Sequence, residues 1–211
     1  MNLLEEISAC VEDGKHGRVS ELVHKALDEG VFVREIMEKG IVPGMELVGR
    51  RFKDGQAYLP EILIAARAAH AGLAILRPVI VKSGEKPKAK VIIGTVEGDL
   101  HDIGKNLVRL VLESEGFEVI DLGVDVSPAA FQEKLKEEKA DVLGMSALLT
   151  TTMVNIPQVI EGLKKSGLRE GVKVIIGGAP ITEEYAREVG ADAYARDCFE
   201  AVDLVRSFIG G

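Results

Sequence analysis

Lys90-Val91-Ile92-Ile93-Gly94-Thr95-Val96 is a short apolar and β-branched run, closed by Glu97-Gly98-Asp99 and followed by the helical pattern Lys105–Glu115. A run of this length bounded by turn residues reads as a buried strand, and strand plus helix make one βα unit. The unit recurs at Phe117–Leu122, Asp141–Ser146 and Val172–Gly177, each followed by a helical pattern: Pro128–Glu138, Val154–Lys165 and Thr182–Val189. A weaker fifth strand, Asp192–Ala195, precedes Phe199–Ile209. Repeated units of about 25 residues predict a five-stranded parallel sheet covered by helices on both faces. In such sheets the ligand site lies at the carboxyl ends of the strands, so function is expected on the loops that follow them.

Upstream the character changes. Lys82-Ser83-Gly84-Glu85-Lys86-Pro87-Lys88-Ala89-Lys90 is polar and basic, contains Gly and Pro, and has the composition of a linker. It suggests two domains, 1–88 and 89–211. The first part reads as four or five helices: Leu3, Leu4, Ile7 and Val11 fall at helical spacing, as do Val19, Leu22, Val23, Ala26 and Leu27 before Gly30. Val33, Ile36 and Met37 lead to Gly40, Ile41–Phe52 carries an apolar stripe, and Pro60 opens a long helix through Leu76 that Pro78 is expected to stop. Residues 1–88 hold 13 Lys+Arg and 13 Asp+Glu, so the chain's net charge of −8 belongs wholly to the second part.

Composition sets outer limits. With 46% hydrophobic and 28% charged residues among 211, the chain can bury a core. A net charge of −8 has the wrong sign for neutralising nucleic-acid phosphates, so no nucleic-acid partner is expected. The start, Met1-Asn2-Leu3-Leu4-Glu5-Glu6, is acidic where a secretory signal is basic, and no apolar run is read as approaching the ~18 residues of a membrane span; a cytoplasmic protein with no membrane partner is expected. Cys10 and Cys198 stand alone at opposite ends and read as packing residues.

The loop after the first strand reads Glu97-Gly98-Asp99-Leu100-His101-Asp102-Ile103-Gly104-Lys105-Asn106. A phosphate loop is set aside, because five residues separate Gly98 from Gly104, Asn106 replaces the hydroxyl residue, and Asp99 and Asp102 would repel a phosphate. Asp102 fits a helix N-cap, with Gly104 allowing helix to pack closely on strand. Asp99-x-His101 is different. A carboxylate accepting one ring N–H fixes the imidazole tautomer and leaves the other nitrogen's lone pair free for a metal. Beyond the third strand stand Ser146-Ala147-Leu148-Leu149-Thr150-Thr151-Thr152, and beyond the fourth Gly177-Gly178-Ala179-Pro180. Paired glycines at a strand end admit a bulky group against bare backbone, with hydroxyls opposite to meet its polar edges. The plainer readings are a tight turn for the glycines and an N-cap for the threonines.

Together these elements resemble the cobalamin-binding signature D-x-H-x-x-G, S-x-L, G-G, in that order, with Ser146 standing 42 positions after Gly104 and Gly177 standing 29 after Leu148. Gly44-Met45-Glu46-Leu47-Val48-Gly49, Phe52, Gly55 and Leu59-Pro60-Glu61-Ile62-Leu63 resemble the helical cap that precedes the cobalamin domain in methionine synthase and in corrinoid proteins of methyltransferase systems. The resemblance spans essentially the whole chain. It is nearest to the small stand-alone corrinoid proteins that shuttle methyl groups between two methyltransferases.

The resemblance implies a helical cap, residues 1–88, and a Rossmann-like (flavodoxin-like) cobalamin-binding α/β domain, residues 89–211. The cofactor would be cobalamin or a related corrinoid, with His101 as lower axial ligand to cobalt and Asp99 on the far ring nitrogen. Thr152 would complete the relay in the place of a serine. Asp102, Ile103 and Gly104 follow the ligand in the signature, Ser146 and Thr150 would contact the nucleotide tail, Leu148 would bind the cofactor as part of S-x-L, and Gly177 and Gly178 would floor the slot of the tail. The segment Leu59–Ala69 would shield the methyl-bearing face and swing away about the Lys82–Lys90 linker. Implied partners are a substrate-specific methyltransferase, an acceptor methyltransferase passing the methyl group to tetrahydrofolate or a thiol, and a reductive activator. Two other readings are a cobalamin-sensing regulatory module and the cofactor subunit of a cobalamin-dependent isomerase. The first usually adds a basic helix-turn-helix, and the second does not usually carry a cap with Leu59-Pro60-Glu61.

Overall fold

The computed structural model of the chain describes residues 2–83 and 87–210. It divides into two compact units, Met1–Pro87 with Glu113–Gly116, and Lys88–Leu112 with Phe117–Gly211.

The helical unit holds α1 (Leu3–Glu12), α2 (His16–Asp28), the short α3 (Val33–Glu35), α4 (Val42–Lys53) and α5 (Leu59–Ser83). A capping box starts α1: the Asn2 side chain accepts from Glu5 N–H, and the Glu5 carboxylate accepts from Asn2 N–H, both at 2.9 Å. Ile7, Val11, Val19, Leu22, Val23 and Ala26 from α1 and α2 are buried with Met45, Val48, Ile62, Ala65, Ala69, Leu73 and Leu76 from α4 and α5. At Gly44 the helices nearly touch, since a Cβ there would stand 2.6 Å from the Ser8 carbonyl oxygen.

Three features depart from the sequence reading. Gly40 ends no helix; it lies buried in a π-helical stretch, Ile36–Ile41, where Val42 N–H donates to the Met37 carbonyl five residues back, so that α3 runs on into α4. Pro78 does not stop α5 either. It removes one backbone donor, but Pro78 and Ala74, whose carbonyl loses that partner, are both exposed, and water can satisfy what the ring cannot. Over Leu59–Val79 the same helix is long and apolar enough to cross a membrane by length and composition alone. The count of unbroken apolar residues missed it because isolated charges such as Arg67 interrupt the run. Its buried face of Ile62, Ala65, Ala66, Ala69, Leu73 and Leu76 is that of a core helix. Of the supposed linker, Lys82 and Ser83 belong to α5 and Lys90 to the first strand, while 84–86 lie outside the described residues.

The second unit alternates β1 (Lys90–Thr95), α6 (Ile103–Ser114), β2 (Glu118–Asp121), α7 (Pro128–Glu138), β3 (Val142–Ser146), α8 (Thr150–Met153), α9 (Ile156–Lys165), β4 (Lys173–Gly177), α10 (Glu183–Val189), β5 (Ala193–Tyr194) and α11 (Cys198–Ile209). All strand pairs are parallel, in the order β2-β1-β3-β4-β5. Ile92, Leu143, Val174 and Ile176 of the sheet are fully buried with Phe131, Ile156, Val159 and Ile160 from the helices. Gly94 of β1 makes room for the Phe131 ring, which a Cβ would meet at 2.7 Å. The chain leaves β1 toward one edge and returns to β3 on its other side. The crevice at the carboxyl ends of β1 and β3 is therefore the topological switch point of the sheet.

Candidate functional site

At that crevice the register aligns Thr95 of β1 with Ser146 of β3, and Ser146 with Gly177 of β4. The β1 loop turns at Gly98, whose φ of 78° suits glycine, and brings Asp99 back under the strand end, where Asp99 N–H donates to the Val96 carbonyl at 3.1 Å. Asp99 is completely buried. Its Oδ1 accepts from His101 N–H at 3.0 Å and lies 2.7 Å from His101 Nδ1. Its Oδ2 accepts from Leu148 N–H at 2.8 Å and from the Thr152 hydroxyl at 2.7 Å, with Leu149 N–H at 3.4 Å.

Burial pushes the Asp99 carboxyl up, but the hydrogen bonds from Thr152, Leu148 and His101 outweigh it and hold the group well below the usual carboxylate range. An ionised Asp99 can only accept, so Nδ1 carries the shared proton, which leaves Nε2 as the ring nitrogen able to offer a lone pair. Nε2 has no partner among the described residues, and the side chain is 51% exposed. The backbone is held as well, by the hydroxyl of fully buried Thr95, which donates to the His101 carbonyl at 2.9 Å. A buried carboxylate thus fixes ring and main chain of an imidazole whose free nitrogen faces outward. Leu100, Ile103, Leu148, Leu149 and Val154, on the β1 loop, at the start of α6 and between β3 and α9, expose 41 to 73% of their surface, and such bared apolar side chains signal a covered surface.

Asp102 precedes α6; its carbonyl accepts from Asn106 N–H at 2.7 Å and its carboxylate from the Asn106 side-chain amide at 2.9 Å. Gly104 does not serve close packing of α6 on the strand, because a Cβ there would meet nothing within 4 Å. It is exposed beside Ile103. Lys105 is committed elsewhere: buried, it contacts both carboxylate oxygens of Asp121 at 2.7 Å. Ser146 ends β3 half-buried, and Thr150 is exposed in the first turn of α8. The threonines do not cap that helix; Leu149 stands at its N-cap and Thr152 turns its hydroxyl to Asp99. Gly177 and Gly178 are required by the fold itself, since a Cβ on Gly177 would stand 2.9 Å from the Ala195 carbonyl oxygen and one on Gly178, at φ 130°, would overlap that of Ala147.

Sequence reasoning missed Thr95, Asp125 and Asn155. The Asp125 carboxylate accepts from Gly98 N–H at 2.6 Å, and the Asn155 amide donates to the Glu97 carbonyl at 2.7 Å, so the β1 loop is held from both sides. The one signal available was position, two residues past Gly123 and three past Thr152.

A family described as B12 binding domain matches residues 89–203, and a second with the same description matches residues 3–77. A corrinoid protein of Desulfitobacterium hafniense is 42% identical over 213 residues, covering 100% of this chain and 99% of the relative. The dimethylamine corrinoid protein 2 of Methanosarcina acetivorans is 46% identical and covers 99% of this chain and 97% of its own. Among solved structures, the methanol:cobalamin methyltransferase complex of Methanosarcina barkeri superposes with a TM-score of 0.86 at 27% identity, over 99% of this chain and 80% of that one.

Proposed function

Because the chain belongs to the B12-binding corrinoid proteins, we propose that its α/β unit holds cobalamin or a related corrinoid through His101 Nε2, and that the chain carries a methyl group from a substrate-specific methyltransferase to an acceptor methyltransferase. The observation that carries this is a histidine whose Nε2 has no partner among the described residues and whose other nitrogen rests on buried Asp99. The residues present fit the cofactor: an imidazole donor in the right tautomer, a rim of bared apolar side chains for the corrin, and open space at Gly104. The cobalt, when bound, supplies the centre that receives and releases the methyl group.

The protein's part is to hold and tune. Asp99 keeps the proton on Nδ1 and so keeps Nε2 a lone-pair donor, while Thr152 and the Leu148 N–H keep Asp99 ionised. Leu100, Ile103, Leu148 and Leu149, bared beside His101, would exclude water from the bound corrinoid. Asp102, Ile103, Gly104, Ser146, Thr150, Gly177 and Gly178 complete the corrinoid site, with residues 1–88 as the cap. A reductive activator returns inactive cofactor to use, and the cycle runs in the cytoplasm. The match of residues 3–77 as well as 89–203, together with full-length relatives named as corrinoid proteins, favours a carrier over a sensor or an isomerase subunit.

Anoxic reconstitution with cobalamin followed by electron paramagnetic resonance of the cobalt(II) form tests the ligand. One nitrogen splitting is expected, with its triplet turning to a doublet when the protein's histidines carry nitrogen-15, and no such isotope effect in His101→Ala. A triplet that stays unchanged on nitrogen-15 labelling of histidine overturns the assignment. Methyl transfer to or from an added methyltransferase then distinguishes a carrier from a sensor or isomerase subunit.

A further inference from the structure

Asp125 and Lys139 are the non-glycine residues with positive φ among the described residues, at 54° and 51°. This backbone is disfavoured for L residues, aspartate and asparagine tolerating it best. Lys139 is accounted for as the left-handed C-cap of α7. Asp125 caps no helix. It stands exposed in the loop between β2 and α7, and both its polar ends reach the β1 loop. Its Oδ1 accepts from Gly98 N–H at 2.6 Å, and its own N–H donates to the Asp99 carbonyl at 3.0 Å.

One residue thus clasps the two immediately before Leu100 and His101. The clasp is not needed to hold the loops together. Leu122 N–H to the Ile93 carbonyl at 2.8 Å, Thr95 N–H to Gly123 at 3.0 Å and Val126 N–H to Thr95 at 2.9 Å already zip the β2 side onto the end of β1. What the carboxylate adds is local to Gly98, the pivot from which Asp99 turns under the sheet.

We propose that Asp125 is a positioning residue for His101: its clasp on Gly98 and Asp99 fixes the turn that aims the imidazole, and with it the fraction of bound corrinoid that is histidine-ligated. The inference rests on the reading of His101 as the corrinoid ligand. The substitution Asp125→Gly keeps the left-handed backbone and the N–H bond while deleting the carboxylate, and so isolates the short bond to Gly98. Asp125→Asn keeps an oxygen acceptor and tolerates the same backbone.

Two readouts decide it. In corrinoid-free protein, amide hydrogen exchange at Gly98 and His101 is expected to quicken about tenfold in Asp125→Gly, the loss of one charge-assisted bond. After reconstitution of protein labelled with nitrogen-15 histidine, the cobalt(II) signal with nitrogen-15 splitting is expected to fall by at least about twofold, a change that general loosening of an exposed loop would not produce. Asp125→Asn should restore both. Wild-type exchange in Asp125→Gly overturns the proposal, as does faster exchange with an undiminished nitrogen-split fraction. His101→Ala serves as the separate control: nitrogen-15 splitting from labelled histidine that persists there removes the ligand reading itself, whereas its loss there with no effect of Asp125→Gly removes the clasp alone.

Discussion

The Thr152 hydroxyl donates to Asp99 Oδ2 at 2.7 Å from the first turn after β3, tying the β1 and β3 loops together beneath the imidazole that Asp99 Oδ1 holds. The threonine methyl sits against the turn, since a Cβ on Gly98 would lie 3.6 Å from it. Hydroxyl and methyl can be deleted separately.

Thr152→Val keeps the shape and removes a donor to a buried carboxylate, which should cost about 1.5 to 3 kcal/mol. Thr152→Ser keeps the donor and loses one methyl group, at about 0.8 kcal/mol. Urea unfolding of the corrinoid-free protein should therefore rank wild type above Ser and Ser above Val. Equal losses for the two variants would mean that packing, not the hydrogen bond, is what Thr152 supplies.

Asp99 predicts the acid limb of stability. Its folded-state carboxyl is held below the ordinary carboxylate value of about 4. The stabilisation is present above that value and is lost as pH falls toward the folded-state pKa, because the unfolded chain then binds the proton more readily. Unfolding free energy should fall between pH 5 and pH 3 with a contribution from this group of at most about 1.4 kcal/mol per pH unit. Asp99→Asn should be less stable at pH 7 and show a shallower acid slope. An unchanged slope would place the acid sensitivity on other carboxylates.

The alternation of strand and helix, and with it the crevice, was legible because burial on both faces of a parallel sheet leaves continuous runs such as Val91-Ile92-Ile93. The Asp99–His101 pair was legible as a carboxylate two residues before an imidazole on a strand-end loop, whereas Thr152 entered only through the resemblance to the cobalamin-binding signature, its own residues reading as an N-cap. The rest depended on contacts that no local pattern encodes. Pro78 continues a helix because that face is exposed, and Gly40 lies inside a π-turn. Lys105 is buried only because Asp121 waits on the neighbouring strand. The clasp of Asp125 depends on a backbone angle that sequence shows faintly, as a tolerance of aspartate for positive φ.

Cys198 should behave as a core residue. Burial first, and the Asp197 charge second, push its thiol from 9.0 up to about 12. A folded-state pKa raised in this way gives stability that is complete below the unfolded value of 9.0 and is lost as pH rises from there toward 12. Alkylation at pH 8, read residue by residue by mass spectrometry, should leave Cys198 unmodified until the domain unfolds. Rapid labelling in native buffer would show that the start of α11 opens locally.

Gly104 and Gly178 should separate folding from binding. A Cβ on Gly178 would collide with the Ala147 carbonyl oxygen on a backbone at φ 130°, so Gly178→Ala must displace a strand end and should cost several kcal/mol or prevent folding. At Gly104, in the first turn of α6, the added methyl meets only open space. Alanine also favours a helix over glycine by up to about 1 kcal/mol. Corrinoid-free Gly104→Ala should therefore unfold at the same or a higher urea concentration than wild type. If the corrin occupies the space beside Ile103, that same methyl should weaken cobalamin retention on gel filtration by about tenfold or more, the cost of overpacking a close contact. A stable Gly104→Ala variant that retains cobalamin as well as wild type would show that the corrin does not approach the start of α6.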